Sequence, residues 1–275
     1  MTTRDGAVLL AGAGRMGLAL LRGWIAGKPD FKILVLDPNP SDAVKQCAKN
    51  GAIELYAAPD NSKLPQLRAI VLAMKPQVIK AEGALLKPLG SANALTVSIA
   101  AGITTASLCS QLGGNARVVR AMPNTPGSIG RGVTVLFANR EAANQDRELA
   151  QSLMSPLGET LWIEDEALMD SVTAVSGSGP AYVFLLAEAL AAAAREQGLD
   201  AATADKLARH TVAGAGALMV QDSRAVAELR RDVTSPGGTT EAALNVLAAR
   251  DGLMQLLSRA VAAATARGKE LGNDS

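Results

Sequence analysis

The sequence predicts an α/β domain built on a doubly wound, mostly parallel sheet, followed by an all-α domain. In the first half, short aliphatic runs alternate with helically periodic stretches. Buried parallel strands and their crossover helices leave that pattern. After Ile163 the strand-like runs stop, and the remainder is alanine-rich with helical spacing. At 275 residues the chain is also longer than one average domain. Its 48% hydrophobic share provides a sizeable core, and with only 3% aromatic residues packing rests on Ala, Val, Leu and Ile, a bias toward helix.

Ala7–Leu10 reads as the first strand, followed by a glycine turn and a helix to about Ala26. Lys32–Leu36 is a second strand and Ile53–Tyr56 a weaker third, and Ala69–Ala73, Leu95–Ile99, Val118–Met122 and Val133–Phe137 continue the series. Between them lie helical patterns near Ala43–Asn50, Gln77–Leu86, Thr105–Leu112 and Glu141–Met154. In the second half Pro180–Gln197, Ala202–Val220, Thr240–Ala249 and Leu253–Leu271 are helical, broken mainly at Gly198 and Pro236-Gly237-Gly238. The boundary falls near Glu164–Asp165, dividing the chain into 1–164 and 165–275, and Gly272–Ser275 reads as a frayed tail.

Composition excludes several classes. With 27 basic and 26 acidic residues and no basic stripe, nothing points to nucleic acid or an anionic membrane surface. Cys47 and Cys109 lie far apart with no His beside them, which fits neither a disulfide framework nor a metal site and points to a reducing cytoplasm. The N-terminal apolar run is short and breaks into glycines around Arg15, unlike a signal peptide. Ala181–Ala194, interrupted by Glu188, is too short to span a bilayer, so the expectation is a soluble protein.

Gly12-Ala13-Gly14-Arg15-Met16-Gly17 matches G-x-G-x-x-G between a strand and a helix, the context that makes the motif specific. The first glycine allows a tight turn, the second lets a pyrophosphate approach the backbone, and the third lets helix and strand pack closely. N–H groups at the helix start attract the phosphate charge. Asp37, at the end of the second strand, stands where a carboxylate binds the adenosine ribose. Alone it favours NAD, because a carboxylate repels a 2′-phosphate; the following Pro38-Asn39-Pro40 leaves NADP open.

Ser235-Pro236-Gly237-Gly238-Thr239-Thr240 runs into a helix, so its backbone N–H groups form either a second anion nest or simply a well-capped helix start. Ser176-Gly177-Ser178-Gly179-Pro180 reads either as a close-packed start of a long helix or as a direct ligand contact. Met122-Pro123-Asn124-Thr125-Pro126 follows a strand and belongs at the carboxyl edge of the sheet, where ligands bind. The sole His210 sits in a helical pattern without an acidic partner, and no nucleophile elbow, zinc-protease motif or P-loop occurs. Chemistry with so little acid or base from the protein suits hydride transfer to an electrophilic iminium, in which the cofactor reacts and the protein places it.

From end to end the chain resembles the pyrroline-5-carboxylate reductase family. The resemblance rests on the glycine loop, Ala73-Met74-Lys75-Pro76-Gln77, Ala100-Ala101-Gly102, Met122–Pro126, Ser176–Tyr182 and Thr234–Thr240, the last being the family's signature segment. It implies a Rossmann-like N-terminal domain, a C-terminal all-helical dimerisation domain, and reduction of 1-pyrroline-5-carboxylate to L-proline with NADPH or NADH. It further implies homodimers whose helical domains interlock to form the active site, with decamers a common higher assembly. The cofactor residues it implies are Ala11 through Gly17 (Ala11, Gly12, Ala13, Gly14, Arg15, Met16, Gly17), Asp37, Asn61, Ala73, Met74, Lys75, Pro76, Ile99, Ala100, Ala101 and Asn124. Ser235, Gly237, Gly238, Thr239 and Thr240 would clamp the substrate, with backbone groups of Gly237–Thr239 on its carboxylate and the Thr240 hydroxyl on its ring nitrogen; no metal is implied. The chain departs from the family at Asp37, where many NADPH-preferring members carry Ser or Thr, and at Asp232, where some carry Asn.

Two other readings share some of these features. A β-hydroxyacid dehydrogenase needs a Lys early in the first long C-terminal helix, where this chain has Tyr182, Phe184 and Glu188, with no Lys until Lys206. A non-enzymatic NAD(P)-sensing regulator has no use for a second anion nest.

Overall fold

The computed structural model describes residues 6–58, 66–81 and 94–273. The N-terminal unit is built on β1 (Ala7–Ala11), α1 (Arg15–Gly27), β2 (Lys32–Leu36), α2 (Asp42–Lys49), β3 (Glu54–Tyr56), β4 (Leu67–Leu72) and α3 (Pro76–Ala81). It continues through β5 (Leu95–Ser98), α4 (Thr105–Gln111), β6 (Val118–Met122), β7 (Gly132–Ala138), α5 (Asn144–Met154) and β8 (Gly158–Trp162). Of the predicted helix Gln77–Leu86, the part beyond Ala81 lies outside the described residues.

The eight strands form one sheet in the order β3-β2-β1-β4-β5-β6-β7-β8. Every pairing is parallel except β6 with β7, where the short connection 123–131 turns the chain back instead of crossing over. Side chains of β1 alternate between two cores because strand residues alternate faces. Val8 and Leu10 pack with Leu20, Leu21 and Trp24 of α1 on one face, and Ala7, Leu9 and Ala11 pack with Ile70, Leu72 and Ile79 on the other. Both faces are therefore covered, which is why β1 and the Ala69–Leu72 part of β4 read as unbroken apolar runs. Trp24 fixes α1 further, its Nε1–H donating to Leu153 O at 2.8 Å and its ring meeting Phe31 edge-on.

After β8 come α6 (Met169–Val172), a π-helical turn at Thr173–Gly177, α7 (Gly179–Glu196), α8 (Ala201–Gln221), α9 (Val226–Asp232), α10 (Thr239–Leu247) and α11 (Leu253–Asn273). Helix α9 has no counterpart in the sequence reading, because VAELRRD is too short and too charged to show an apolar period. The last helix continues to Asn273, past the expected start of fraying at Gly272. The chain divides into two compact units: one runs to Gly177 and takes in the chain again from Thr265, and the other is Ser178–Ala264. In the first unit, the end of α11 lies beside Asp170 and the Gly102 turn.

The second unit consists of helices that leave much apolar surface uncovered in a single chain: Phe184 is 68% exposed, Val220 75% and Met254 70%. The helical run Glu166–Glu196, 31 residues, is long and apolar enough to cross a membrane by length and composition. The expectation that no segment here is long enough counted only Ala181–Ala194; the short helical turns before Gly179 extend the run.

Arg120, in the middle of the sheet, is closed in with its side chain only 6% exposed. Glu166 pairs with it at 3.2 Å and also accepts from Thr105 N at 2.8 Å and Thr105 Oγ1 at 2.7 Å, tying the segment after β8 to α4 and β6. Glu166→Ala strands a buried guanidinium without its partner. Urea unfolding is expected to show a loss of about 3 kcal/mol, with a smaller loss for Glu166→Gln; equal stability of Glu166→Ala and the parent would show that the pair is dispensable.

Candidate active site

The sheet register lines up Leu36, Ala11, Leu72 and Ser98 across β2, β1, β4 and β5. Backbone bonds then continue one residue beyond the strands. Asp37 N donates to Tyr56 O, Gly12 N to Leu36 O, Ala73 N to Ala11 O and Ile99 N to Leu72 O, all within 2.8–3.0 Å. The predicted cofactor residues at Gly12, Asp37, Ala73 and Ile99 are therefore brought to one edge by the ladder itself. Strand order reverses between β1 and β4, the position at which open α/β sheets take ligands.

The three motif glycines meet three different surroundings. Gly12 has φ +88°, and a Cβ there would stand 3.0 Å from the Ala73 carbonyl and from Met74 Cγ. A Cβ on Gly17 would overlap Gly12 O, so α1 lies directly on the end of β1. Gly14 has an ordinary φ of −64°, and nothing stands within 4 Å of its Cβ position. Its smallness leaves backbone accessible and relieves no clash. Helix α1 starts on Gly14 with no side-chain cap and no acid in its first turn. Uncapped amides at the positive end of a 13-residue helix, facing open space, fit a pyrophosphate.

Asp37 braces this loop. Its Oδ2 accepts from Ala13 N and its Oδ1 from Asn39 N, each at 2.9 Å. Arg15 is exposed at the first helical position, while Met16 packs on the core. Lys75 is exposed and Pro76 opens α3. Ala100 N donates to Ser98 Oγ at 3.3 Å, and Ala101 is exposed at the turn. Asn124 follows β6, with its side-chain oxygen accepting from Val133 N at 3.0 Å and so pinning the turn into β7. Two further motifs meet at Gly177, where a Cβ would press on Met122 Cε at 2.7 Å. Asn61 lies outside the described residues.

The second unit positions the Ser235–Thr240 segment between α9 and α10. Thr234 Oγ1 donates to Arg230 O at 2.6 Å and Gly238 N to Ser235 O at 3.0 Å; Gly237 turns the chain at φ +71°, where a side chain would be strained. Gly238 is the N-cap of α10, and Thr239 and Thr240 are its first two residues, whose N–H groups precede the intrahelical ladder. The sequence reading did not include Glu241. Its Oε2 accepts from Gly237 N at 2.8 Å, so of the three backbone donors expected for a substrate carboxylate, those of Gly237 and Gly238 are engaged within the segment. A capping box needs a Ser or Thr at the N-cap and returns the Glu to the N-cap amide; with Gly238 as N-cap and Gly237 N as the target, the sequence carried no such signal for Glu241. Beside it opens a cleft of about 260 Å³ lined by Arg230, Arg231, Thr234, Glu241, Leu244, Asn245 and Ala248.

Other reactive groups are occupied or remote. Burial pushes the Cys109 thiol up, against a smaller opposite pull from the Asn139 hydrogen bond, so it is held as the neutral thiol. His210 is exposed on α8. Asp232 accepts from Arg224 Nη1 at 2.8 Å, and Arg224 also grips Asp222.

Comparison with known proteins covers both units. A family model described as pyrroline-5-carboxylate reductase dimerisation matches residues 166–271, and one described as NADP oxidoreductase, coenzyme F420-dependent, matches residues 7–102. The pyrroline-5-carboxylate reductase of Pseudomonas aeruginosa is 41% identical over 265 residues, covering 96% of each chain. A solved pyrroline-5-carboxylate reductase from Coxiella burnetii matches with a TM-score of 0.88 at 36% identity, covering 97% of this chain and 98% of that one. The Plasmodium falciparum pyrroline carboxylate reductase with NADP bound matches with a TM-score of 0.78 at 27% identity, covering 98% and 99%.

The contrast between Gly14 and Gly17 is testable. Gly14→Val fits the backbone and the space, so its thermal unfolding should match the parent while fluorescence titration shows dinucleotide affinity lowered by about 100-fold or more through blocked backbone approach. Gly17→Ala should instead lose about 1–3 kcal/mol of stability, the usual cost of overpacking. A Gly14→Val protein that binds dinucleotide normally would remove the loop from the cofactor site.

Proposed function

Because the chain belongs to the pyrroline-5-carboxylate reductase family, we propose that it reduces the C=N bond of 1-pyrroline-5-carboxylate to give L-proline, with NADPH or NADH as reductant. The best support is that one chain carries two glycine-rich helix starts, at Gly14 and Gly238, each suited to a different anion. When bound, the reduced nicotinamide supplies the hydride.

In this reading Gly12–Gly17 hold the pyrophosphate on the first turn of α1, and Asp37 faces the adenosine ribose. Ala73–Pro76, Ile99–Ala101 and Asn124 border the cofactor along the carboxyl edge, with Asn61 at its adenosine end. The substrate carboxylate sits on the Ser235–Thr240 segment. Thr239 N and Thr240 N are the first donors open to it, and Gly237 N becomes available as Glu241 swings away. The Thr240 hydroxyl holds the ring nitrogen, which keeps its proton as the iminium carbon is reduced, so the product amine forms without a side-chain acid.

The uncovered apolar face of the helical unit is assigned to a second copy of the chain, because this is the matched dimerisation segment, and that assignment also accounts for the apolar Glu166–Glu196 run without a membrane. Association of dimers into decamers and a cytoplasmic setting belong to the same proposal, the latter supported by two free cysteines. We keep the functional division at 164/165, where the sheet has ended at Trp162 and the dimerisation match is about to begin at 166.

Thr240→Ala removes one hydrogen bond to the reacting ring. If that bond tightens in the transition state, turnover at saturating substrate falls roughly ten- to a hundredfold, the equivalent of one hydrogen bond to a charged group. Cofactor affinity measured by titration should be unchanged. Parental turnover, or a loss of cofactor binding instead, would show that Thr240 has another role.

A further inference from the structure

We propose that Asp37 makes this chain an NADH-preferring enzyme, by holding a fixed carboxylate where the 2′ position of the adenosine ribose must lie. The proposal rests on the reading of Gly12–Gly17 as the dinucleotide site, and goes beyond it by choosing between the two cofactors.

The sequence alone leaves the choice open, since Pro38-Asn39-Pro40 follow Asp37 and nothing in the sequence fixes where its carboxylate points. The structure removes that freedom. Asp37 stands one residue past β2, its own N–H bonded to Tyr56 O. Each of its carboxylate oxygens is then held by a backbone amide, Oδ2 by Ala13 N of the glycine loop and Oδ1 by Asn39 N, both at 2.9 Å. A rotamer change would break both bonds and leave the N–H of buried Ala13 unpaired. The charge is thus locked at the rim of the loop, and each oxygen retains a further lone pair to accept a ribose hydroxyl. A 2′-phosphate at that position brings two negative charges against it.

Among the described residues, the nearby charges do not offset this. Pro38-Asn39-Pro40-Ser41 contributes no cation, and Lys45 of α2 is turned to Asp42 at 3.3 Å. Arg15 is the one cation of the glycine loop; it is exposed at the first position of α1 and is the residue able to oppose Asp37.

The test measures dissociation constants of the full-length protein for NADH and NADPH by fluorescence titration, with turnover on 1-pyrroline-5-carboxylate as a second readout. The parent should bind NADH on the order of 100-fold more tightly than NADPH, a factor within reach of like-charge repulsion at a partly exposed site. Asp37→Ser should cut that ratio at least tenfold, mainly by improving NADPH binding. Asp37→Asn keeps an acceptor for Ala13 N, so it guards against a Ser variant that folds poorly, and it should shift the ratio in the same direction. Equal or tighter NADPH binding by the parent, above all if Arg15→Ala abolishes it, would overturn the preference while leaving the dinucleotide site intact. Failure of both cofactors to bind would overturn the site reading and the preference together.

Discussion

The hydrogen bond from Ala13 N to the Asp37 carboxylate joins the ends of two parallel strands across the loop that opens α1. Together with the contact of Gly17 on Gly12 O, it sets where the first turn of α1 points. Helix α1 is pressed closely on the end of β1 at Gly17, while its N-cap, Gly14, has no side chain to cap the first turn and open space before it. The amides there remain directed at the carboxyl edge of the sheet. Ala73, Ile99 and Asp37 reach the same edge because each is bonded to the neighbouring strand one residue past its own strand. The face proposed for the cofactor is thus a consequence of strand register, with the glycine motif set on an edge that the parallel ladder has already aligned.

A site of this kind does its chemistry by placement. Cys109 is held protonated by burial, His210 lies out on α8, and Asp232 is engaged by Arg224. What the chain offers instead is a pair of helix starts whose backbone donors suit anions without any group having to titrate. An iminium is already electrophilic, so holding its carboxylate and ring nitrogen suffices on the protein side. In the alanine-rich helical unit small side chains let α7 and α8 pack closely, while larger ones such as Phe184 and Leu185 are left exposed.

Much of this was legible in the sequence. β2 falls where its aliphatic run ends, and β6 was placed correctly despite the Arg120 within it, because both strands are buried on two faces. Gly12, Gly14 and Gly17 were assigned their separate roles from spacing; the Cβ surroundings give Gly12 and Gly17 a steric reason to be glycine, while Gly14 meets open space. Other features depend on tertiary contacts that no local pattern carries. The reversal at β7 follows from the Asn124-pinned turn, and the Arg120–Glu166–Thr105 cluster joins residues 46 and 61 positions apart. Helix α9 is too short to show a period, and the brace from Asp37 to Ala13 is invisible until the loop closes. Glu241 belongs with these: a Gly238 N-cap lacks the hydroxyl of a capping box, and the target, Gly237 N, is one residue before the N-cap.

The central claim is that the glycine loop of the first unit and the Ser235–Thr240 segment of the second serve a single reaction. Incubating the purified chain with 1-pyrroline-5-carboxylate and a reduced nicotinamide cofactor, and quantifying proline and oxidised cofactor together, tests this directly. The account predicts one proline formed for each cofactor oxidised, with no cofactor consumed when substrate is omitted. Tight cofactor binding with no proline formed would contradict it.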